Sequence, residues 1–471
     1  MLKIKQFLLL FLLLNLFKAD TVPTATGANA ITSDTTHTSG TFSSTTADQN
    51  VFLVSGATLT LNGEITINKS GDASNTEDAE FYGINAAILV QNSSSAVING
   101  VTINSSGKGA NSLFAYGSNS TITITNSTIV STGESSARGL LSTYTGTITG
   151  SELTISTTGR SCAALATDRG EGVVTCSKCT LTTAGAGSPV IYSTGNITIT
   201  DQTTGTATGA QMVVVEGKNS ETIKDSTLIG NGVGNRNGID SCGIFIYQSQ
   251  SGDADSGVAS FTTTNSSFTV SSSSTSYPMF FVTNTQANIT INSGNTFVFP
   301  SGIFLDVSAT NSSVGWGSSG SNGGDLNITL NGQSITGDIT VDDISSMNLY
   351  LTNGSYFKGT INGNKTGCVV TVTIDSTSTW ELTGNSYANV TNEGTLTNGS
   401  YTLRTIDTCE TNNNNNSGNQ GSGGNSPNKS NSTNSNSNSN SSDNDNDSDD
   451  NSSALYLKNI FLIVTIIIFV F

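Results

Sequence analysis

One phrase recurs along this chain: a turn, then Thr alternating with an aliphatic residue, then Asn or Ser with Gly, then another apolar burst. It stands as Ser120-Thr-Ile-Thr-Ile-Thr125, Gly146-Thr-Ile-Thr149, Gly172-Val-Val-Thr175, Asn196-Ile-Thr-Ile-Thr200 and Asn288-Ile-Thr-Ile-Asn292. Taking one central aliphatic residue per unit, Ile98, Ile122, Ile148, Val174, Ile197 and Ile223 are separated by 24, 26, 26, 23 and 26 residues. A period between roughly 20 and 50 residues marks a chain built by stacking one unit on the next. Within a unit nothing carries the period of an amphipathic helix. Apolar and polar residues alternate, as in a half-buried strand.

A second apolar column runs ahead of the first. It comprises Leu113-Phe-Ala-Tyr116, Leu140-Leu-Ser-Thr143, Ala164-Leu-Ala-Thr167, Val190-Ile-Tyr-Ser193, Met212-Val-Val-Val-Glu216, Ile244-Phe-Ile-Tyr247, Met279-Phe-Phe-Val-Thr283 and Ile303-Phe-Leu-Asp306. A third burst follows the first across a turn: Ile129-Val130, Leu153-Thr-Ile155, Cys179-Thr-Leu181. Three short strands per turn of 23–26 residues predict an all-β fold, a parallel β-helix over residues 51–405. Ile, Val and Leu would ladder inside, and Thr, whose β-branched shape suits extended backbone, would face out. Residues 20–50 are weakly patterned and read as a lead-in or cap. The period stretches between Ile223 and Phe261 and between Ile289 and Ile328. Extra residues in a solenoid emerge as loops on one face, often the binding face.

Phrases such as Ser161-Cys-Ala-Ala-Leu-Ala-Thr-Asp-Arg-Gly170, Gly187-Ser-Pro-Val-Ile-Tyr-Ser-Thr-Gly195 and Val215-Glu-Gly-Lys-Asn-Ser220 carry a family resemblance. The body resembles the bacterial adhesin-like proteins built on a right-handed parallel β-helix, a group overlapping the pectate-lyase-like β-helix superfamily. That resemblance implies surface display, adhesion or glycan contact.

The two ends read as addresses. Met1-Leu-Lys-Ile-Lys-Gln before Phe7-Leu-Leu-Leu-Phe-Leu-Leu-Leu14 is a signal-peptide pattern, taken as residues 1–19. At the other end, residues 451–471 combine small residues (Asn451, Ser452, Ser453), a short spacer and the apolar run Ile460–Phe471. That combination is a glycolipid-anchor signal, with a short membrane span as the alternative. Residues 411–450 hold no aromatic or aliphatic side chain and read as a disordered stalk of Asn, Ser and Asp. The expected location is the extracellular face of the plasma membrane. A formal charge of -17 with only 17 Lys and Arg argues against nucleic acid, whose binding needs many cationic contacts. Secretion would make the sequons usable: Asn68, Asn92, Asn104, Asn119, Asn126, Asn196, Asn265, Asn288, Asn311, Asn327, Asn353, Asn364, Asn389 and Asn398.

Candidate chemistry gathers around Asp168-Arg169, with Glu216 and Lys218 two turns on. With turns about 4.8 Å apart, Asp168 and Glu216 would stand roughly 10 Å from each other. That is long for paired acid–base work but suits a shallow polar groove flanked by Tyr116, Tyr192 and Tyr247, with Asp253 and Asp255 on the first long loop. These tyrosines and aspartates are the candidate ligand contacts. Asp168, Arg169, Glu216 and Lys218 are weak catalytic candidates, and the alternative for all of them is a salt-bridge ladder. No cofactor or metal is expected: the only histidine is His37, and no repeated calcium-binding pattern occurs. Six cysteines suggest disulfides outside the cell. Cys162 could bridge to Cys176 or Cys179, Cys368 could tie to Cys409, and Cys242, several turns away, is a further disulfide candidate; the spacing gives no unique connectivity. Cys176-Ser-Lys-Cys179 also has redox or zinc spacing.

The function these features predict is a non-enzymatic, adhesin-like surface protein that contacts glycans or proteins of another cell. An extracellular polysaccharide lyase or hydrolase and a purely structural coat component are the alternatives.

Overall fold

Alternating inward and outward residues let each strand stack on its counterpart one turn away. The computed structural model describes residues 22–236, 238–310 and 314–406, and there the chain winds as a parallel β-helix. A typical turn runs Leu113–Tyr116, Thr121–Thr125 and Thr128–Ser131; the next runs Leu140–Thr143, Thr147–Ser151 and Thr154–Thr157. The leading strands form a 12-stranded sheet. In the turns up to Val298 the other two strands form two rows of a 21-stranded sheet. Residues expected as a lead-in already contribute strands: Thr26–Ile31 pairs with Gln49–Ser55, and Thr35–Ser44 with Thr58–Lys69. The segments read as signal peptide, stalk and C-terminal tail, with Cys409, Asn311, Asn451, Ser452 and Ser453, lie outside the described residues.

Ile122, Ile148, Val174 and Ile197 stack as the repeat predicts. Two members of that column are displaced. Ile98 pairs with Ile124, leaving Ala96 opposite Ile122, and Ile197 faces Glu221 rather than Ile223. A slip of two residues keeps every side chain on its own face, so alternation alone cannot detect it. One apolar core runs along the inside, from Ile31 to Ala388. Each fully buried aliphatic side chain stabilises it by about 1.5–3 kcal/mol.

The corner between the two rows is polar inside from Thr203 onward. Its stacked residues there include Thr203, Ser226, Ser266, Asn295, Gln333, Ser355 and Ser378, all buried, while Leu153 and Cys179 fill it in the turns before. A side-chain oxygen from one turn accepts the corner N–H of the turn before it. Thus Ser226 N–H donates to Ser266 (3.2 Å), Ser266 to Asn295 (3.0 Å), Asn295 to Gln333 (2.9 Å), Gln333 to Ser355 (3.1 Å) and Ser355 to Ser378 (3.1 Å). The corner ahead of the 12-stranded sheet is made of stacked glycines. A Cβ on Gly159 would lie 1.8 Å from the Gly133 carbonyl, and one on Gly185 1.8 Å from that of Gly159, so only glycine fits.

The cysteines depart from expectation. Cys176 bonds Cys179 across the corner, with Cα atoms 6.2 Å apart. Cys162 is free and buried, its thiol directed at the carbonyls of Arg160 (3.1 Å) and Gly133 (3.4 Å). It therefore bridges neither Cys176 nor Cys179. Cys176 and Cys179 both point inward on either side of one tight turn, which brings them together before any residue of another strand. Cys242 is also free and buried, and Cys368 is disulfide-bonded.

The insertions pack rather than project. A short helix, Thr76–Tyr82, arises in a third insertion that the repeat did not reveal. Asn75 caps its start by accepting from Glu77 N–H, and Gly83 ends it at φ 71°. This helix segment and the loops around 248–257 and 314–324 lie on the outer face of the 12-stranded sheet. That face is apolar: Leu89, Phe114, Leu141 and Ala166 near the helix, Val214, Phe245 and Phe281 with Trp316 further on. Gly83 sits so close to Leu89 and Phe114 that a Cβ would come within 2.6–2.7 Å of them. The two loops meet where Gln250 N–H donates to the Gly315 carbonyl (3.0 Å).

The second row is interrupted once. Thr296–Val298 pairs only with Ser267–Val270, and Ser334–Thr336 pairs only with Tyr356–Lys358, in a separate four-stranded sheet.

Candidate functional site

The residues singled out around Asp168 and Glu216 come together, but under cover. Asp168 is 2% exposed and Glu216 1%. Asp168 accepts from Arg138 at 2.7 Å, and Arg138 also pairs with Glu80 of the helix. Arg138, which precedes its apolar burst Leu140–Thr143 rather than following it as Asp168 does, is thus part of the cluster. Burial alone would weaken the Arg138 charge, but Glu80 and Asp168 outweigh it and hold the guanidinium above its ordinary value. Burial pushes the Asp168 carboxyl up; Arg138 opposes this without cancelling it.

Glu216 accepts from the hydroxyls of Tyr192 (2.7 Å) and Tyr247 (2.8 Å) and from Ser249 of the covering loop. Its pKa is raised by burial, against the pull of those hydrogen bonds. Arg138 lies 5.5 Å from the centre of the Tyr192 ring, which links the two acids through one aromatic. Arg169 stacks on Phe81 of the helix at 3.7 Å and pairs with Asp253 of the loop at 2.9 Å. Lys218 joins Glu171 (2.5 Å) and Asp255 (3.2 Å) at the rim. Asp253 and Asp255 therefore fasten the loop down, and Tyr192 and Tyr247 hold Glu216. All four were expected as ligand contacts, and each has an internal partner.

Tyr116 behaves differently. It meets Tyr82 and Tyr144, two residues the repeat gave no reason to single out, in a half-buried trio with ring centres 5.3–5.9 Å apart. Tyr144 adopts φ 48°, unusual for an aromatic residue. Burial and its hydrogen bond with Tyr82 push its hydroxyl up to about 12. This trio is the most aromatic surface near the cluster that still meets solvent.

Among the described residues no group of three His, Cys, Asp or Glu could hold a metal ion. His37 packs against the rings of Phe42 and Phe52, which also touch each other. No helix among the described residues is long and apolar enough to cross a membrane.

The sequons divide by position. Asn92, Asn119, Asn126, Asn265 and Asn353 sit exposed at corners with positive φ. Asn196, Asn288 and Asn327 project from the first row, and Asn327 donates to Asn288 at 3.1 Å in a side-chain ladder. Asn68 and Asn104 are half-buried and bonded to each other at 2.9 Å. Asn364, Asn389 and Asn398 are exposed near the C-terminal turns.

No protein-family model matches this sequence, and no curated protein matches it either.

Proposed function

We propose that this protein is a non-enzymatic recognition rod of the cell surface, adhesin-like, held at its C-terminal end by a glycolipid anchor on an Asn- and Ser-rich stalk. The resemblance to bacterial adhesin-like β-helix proteins and the two terminal address patterns support that placement. The observation that carries the binding reading is the closure over Asp168 and Glu216. Both acids are buried, saturated by Arg138, Tyr192, Tyr247 and Ser249, and covered by the helix and the 248–257 loop. A lyase or hydrolase needs its carboxylates free to meet substrate.

The contact surface in this reading is the Tyr82–Tyr116–Tyr144 trio, whose flat faces suit the apolar side of a sugar ring and whose hydroxyls suit its edge. Screening the secreted protein on a glycan array and on cell surfaces tests the proposal. Selective binding that falls at least tenfold in Tyr116→Ala, with unchanged thermal unfolding, supports it. Absence of binding to every glycan and cell surface tried sinks it.

A further inference from the structure

The break in the second row leaves two unpaired strand edges facing one slot, and the geometry points to an extended peptide from another polypeptide as its occupant. In a parallel ladder, alternate residues turn their backbone groups to opposite neighbours. The pairing of Thr296–Val298 with Ser267–Val270 therefore aims the N–H and C=O of Phe297 into the gap. The pairing of Ser334–Thr336 with Tyr356–Lys358 aims those of Ser334 and Thr336 into it from the other side. Neither edge is paired to a further strand among the described residues.

An amide already occupies the start of this slot. The Gln333 side chain accepts from Asn295 N–H at 2.9 Å and donates to the Asn295 carbonyl at 2.9 Å and to the Ser334 carbonyl at 2.8 Å. It stands where a peptide group of an intervening strand would stand and makes that group's hydrogen bonds to both edges. Beyond it a surface pocket opens, lined from one side by Phe297, Val298 and Phe299 and from the other by Thr336, Gly337 and Asp338. The lower end closes where the Phe299 ring lies over Gly337 and Asp338 N–H donates to the Gly302 carbonyl (2.8 Å).

The neighbours dictate the guest. Its central residue would point inward between Phe297 and Ile335, which the core contacts, and should be aliphatic. Its flanking residues would point outward between Thr296 and Ser334 and between Val298 and Thr336, and should be small and polar or β-branched. That is strand addition to a sheet edge, with main-chain bonds giving affinity and one side-chain pocket giving selectivity. Three residues of pairing make it a weak, exchangeable contact. The slot is separate from the tyrosine trio and does not depend on the glycan reading.

The experiment is a titration of the secreted full chain with a labelled, capped pentapeptide centred on Thr-Ile-Thr. A second peptide is N-methylated at the residue after Ile, whose N–H would meet the Phe297 carbonyl. The protein variant is Thr336→Pro, which removes an N–H aimed at the slot while leaving the ladder to Tyr356–Lys358 intact, as prolines at sheet edges do. Saturable binding with half-saturation below about 1 mM, weakened about tenfold by N-methylation and about tenfold by Thr336→Pro, supports the slot. No saturation by the unmodified peptide, equal binding of the methylated peptide, or self-association of the chain that the peptide fails to displace overturns it. The methylated-peptide comparison uses the unaltered protein and so stands even where the proline variant folds poorly.

Discussion

The two outer faces of this helix are built from the same repeat and treated in opposite ways. The face of the 12-stranded sheet carries Leu89, Phe114, Leu141, Phe245 and Phe281 and is covered by a helix and two loops. The face of the second row carries Thr128, Thr154, Thr180, Thr204 and Thr227, all exposed and uncovered. The difference teaches where the insertions went. Apolar outward residues call for a second layer, and each lengthening of the period supplies a piece of it. Threonine needs none.

If that contrast is right, substitutions beneath the cover should be costly and those on the bare face nearly silent. The largest effect is expected for Arg138→Met. It leaves Asp168 buried without its partner, so denaturant unfolding should show a loss of about 3–5 kcal/mol at neutral pH. The loss should shrink in acid as Asp168 takes up a proton. Trp316→Ala, in the covering loop itself, should cost about 3–5 kcal/mol by leaving a cavity over Phe245 and Tyr247. Raised protease cutting within residues 248–257 should accompany it.

Next comes Glu221, which shows what the interior does with a group it cannot satisfy. Both carboxyl oxygens are buried without a hydrogen-bond partner, between Ile197 and Phe261 of adjacent turns. Burial raises its pKa well above the ordinary 4.5. The sign follows: the pH-dependent part of the penalty is absent below pH 4.5 and grows as pH rises, by about 1.4 kcal/mol per unit, until the folded pKa is passed. Glu221→Leu should therefore raise thermal stability at pH 8 more than at pH 5. Equal shifts at the two pH values would refute the assignment. The smallest effect is expected on the bare face, where Thr180→Ala should stay within about 0.5 kcal/mol of the parent.

Much of the solenoid was legible in the sequence because Ile122, Ile148, Val174 and Ile197 keep strict alternation at a steady interval. Glu221 was not, since an acid in the inner column breaks the very signal used to find the column. The polar corner was hidden for a similar reason: Ser226, Ser266 and Asn295 look like turn residues, and only stacking reveals that they face inward. The helix has seven residues and buries only Ala79 and Phe81, too few for a period to emerge. The cluster at Asp168 and Glu216 was found by column arithmetic. Its closure was not, because nothing in a loop sequence states which face the loop will cover.

The polar corner gives this rod a direction. Because a corner N–H from Ser226 through Ser355 is satisfied by an oxygen of the following turn, no turn in that series is complete until its successor is laid down. The growing edge is always one acceptor short, like the live end of a growing polymer. At Ser378 the series stops: its N–H donates back to the Asp375 carbonyl of its own turn (3.1 Å), and the turn that follows, Asn389–Asn392 and Thr395–Thr397, stacks on it by strand pairing without supplying that acceptor. The relay of corner acceptors thus ends inside the chain, one turn before the last strands among the described residues.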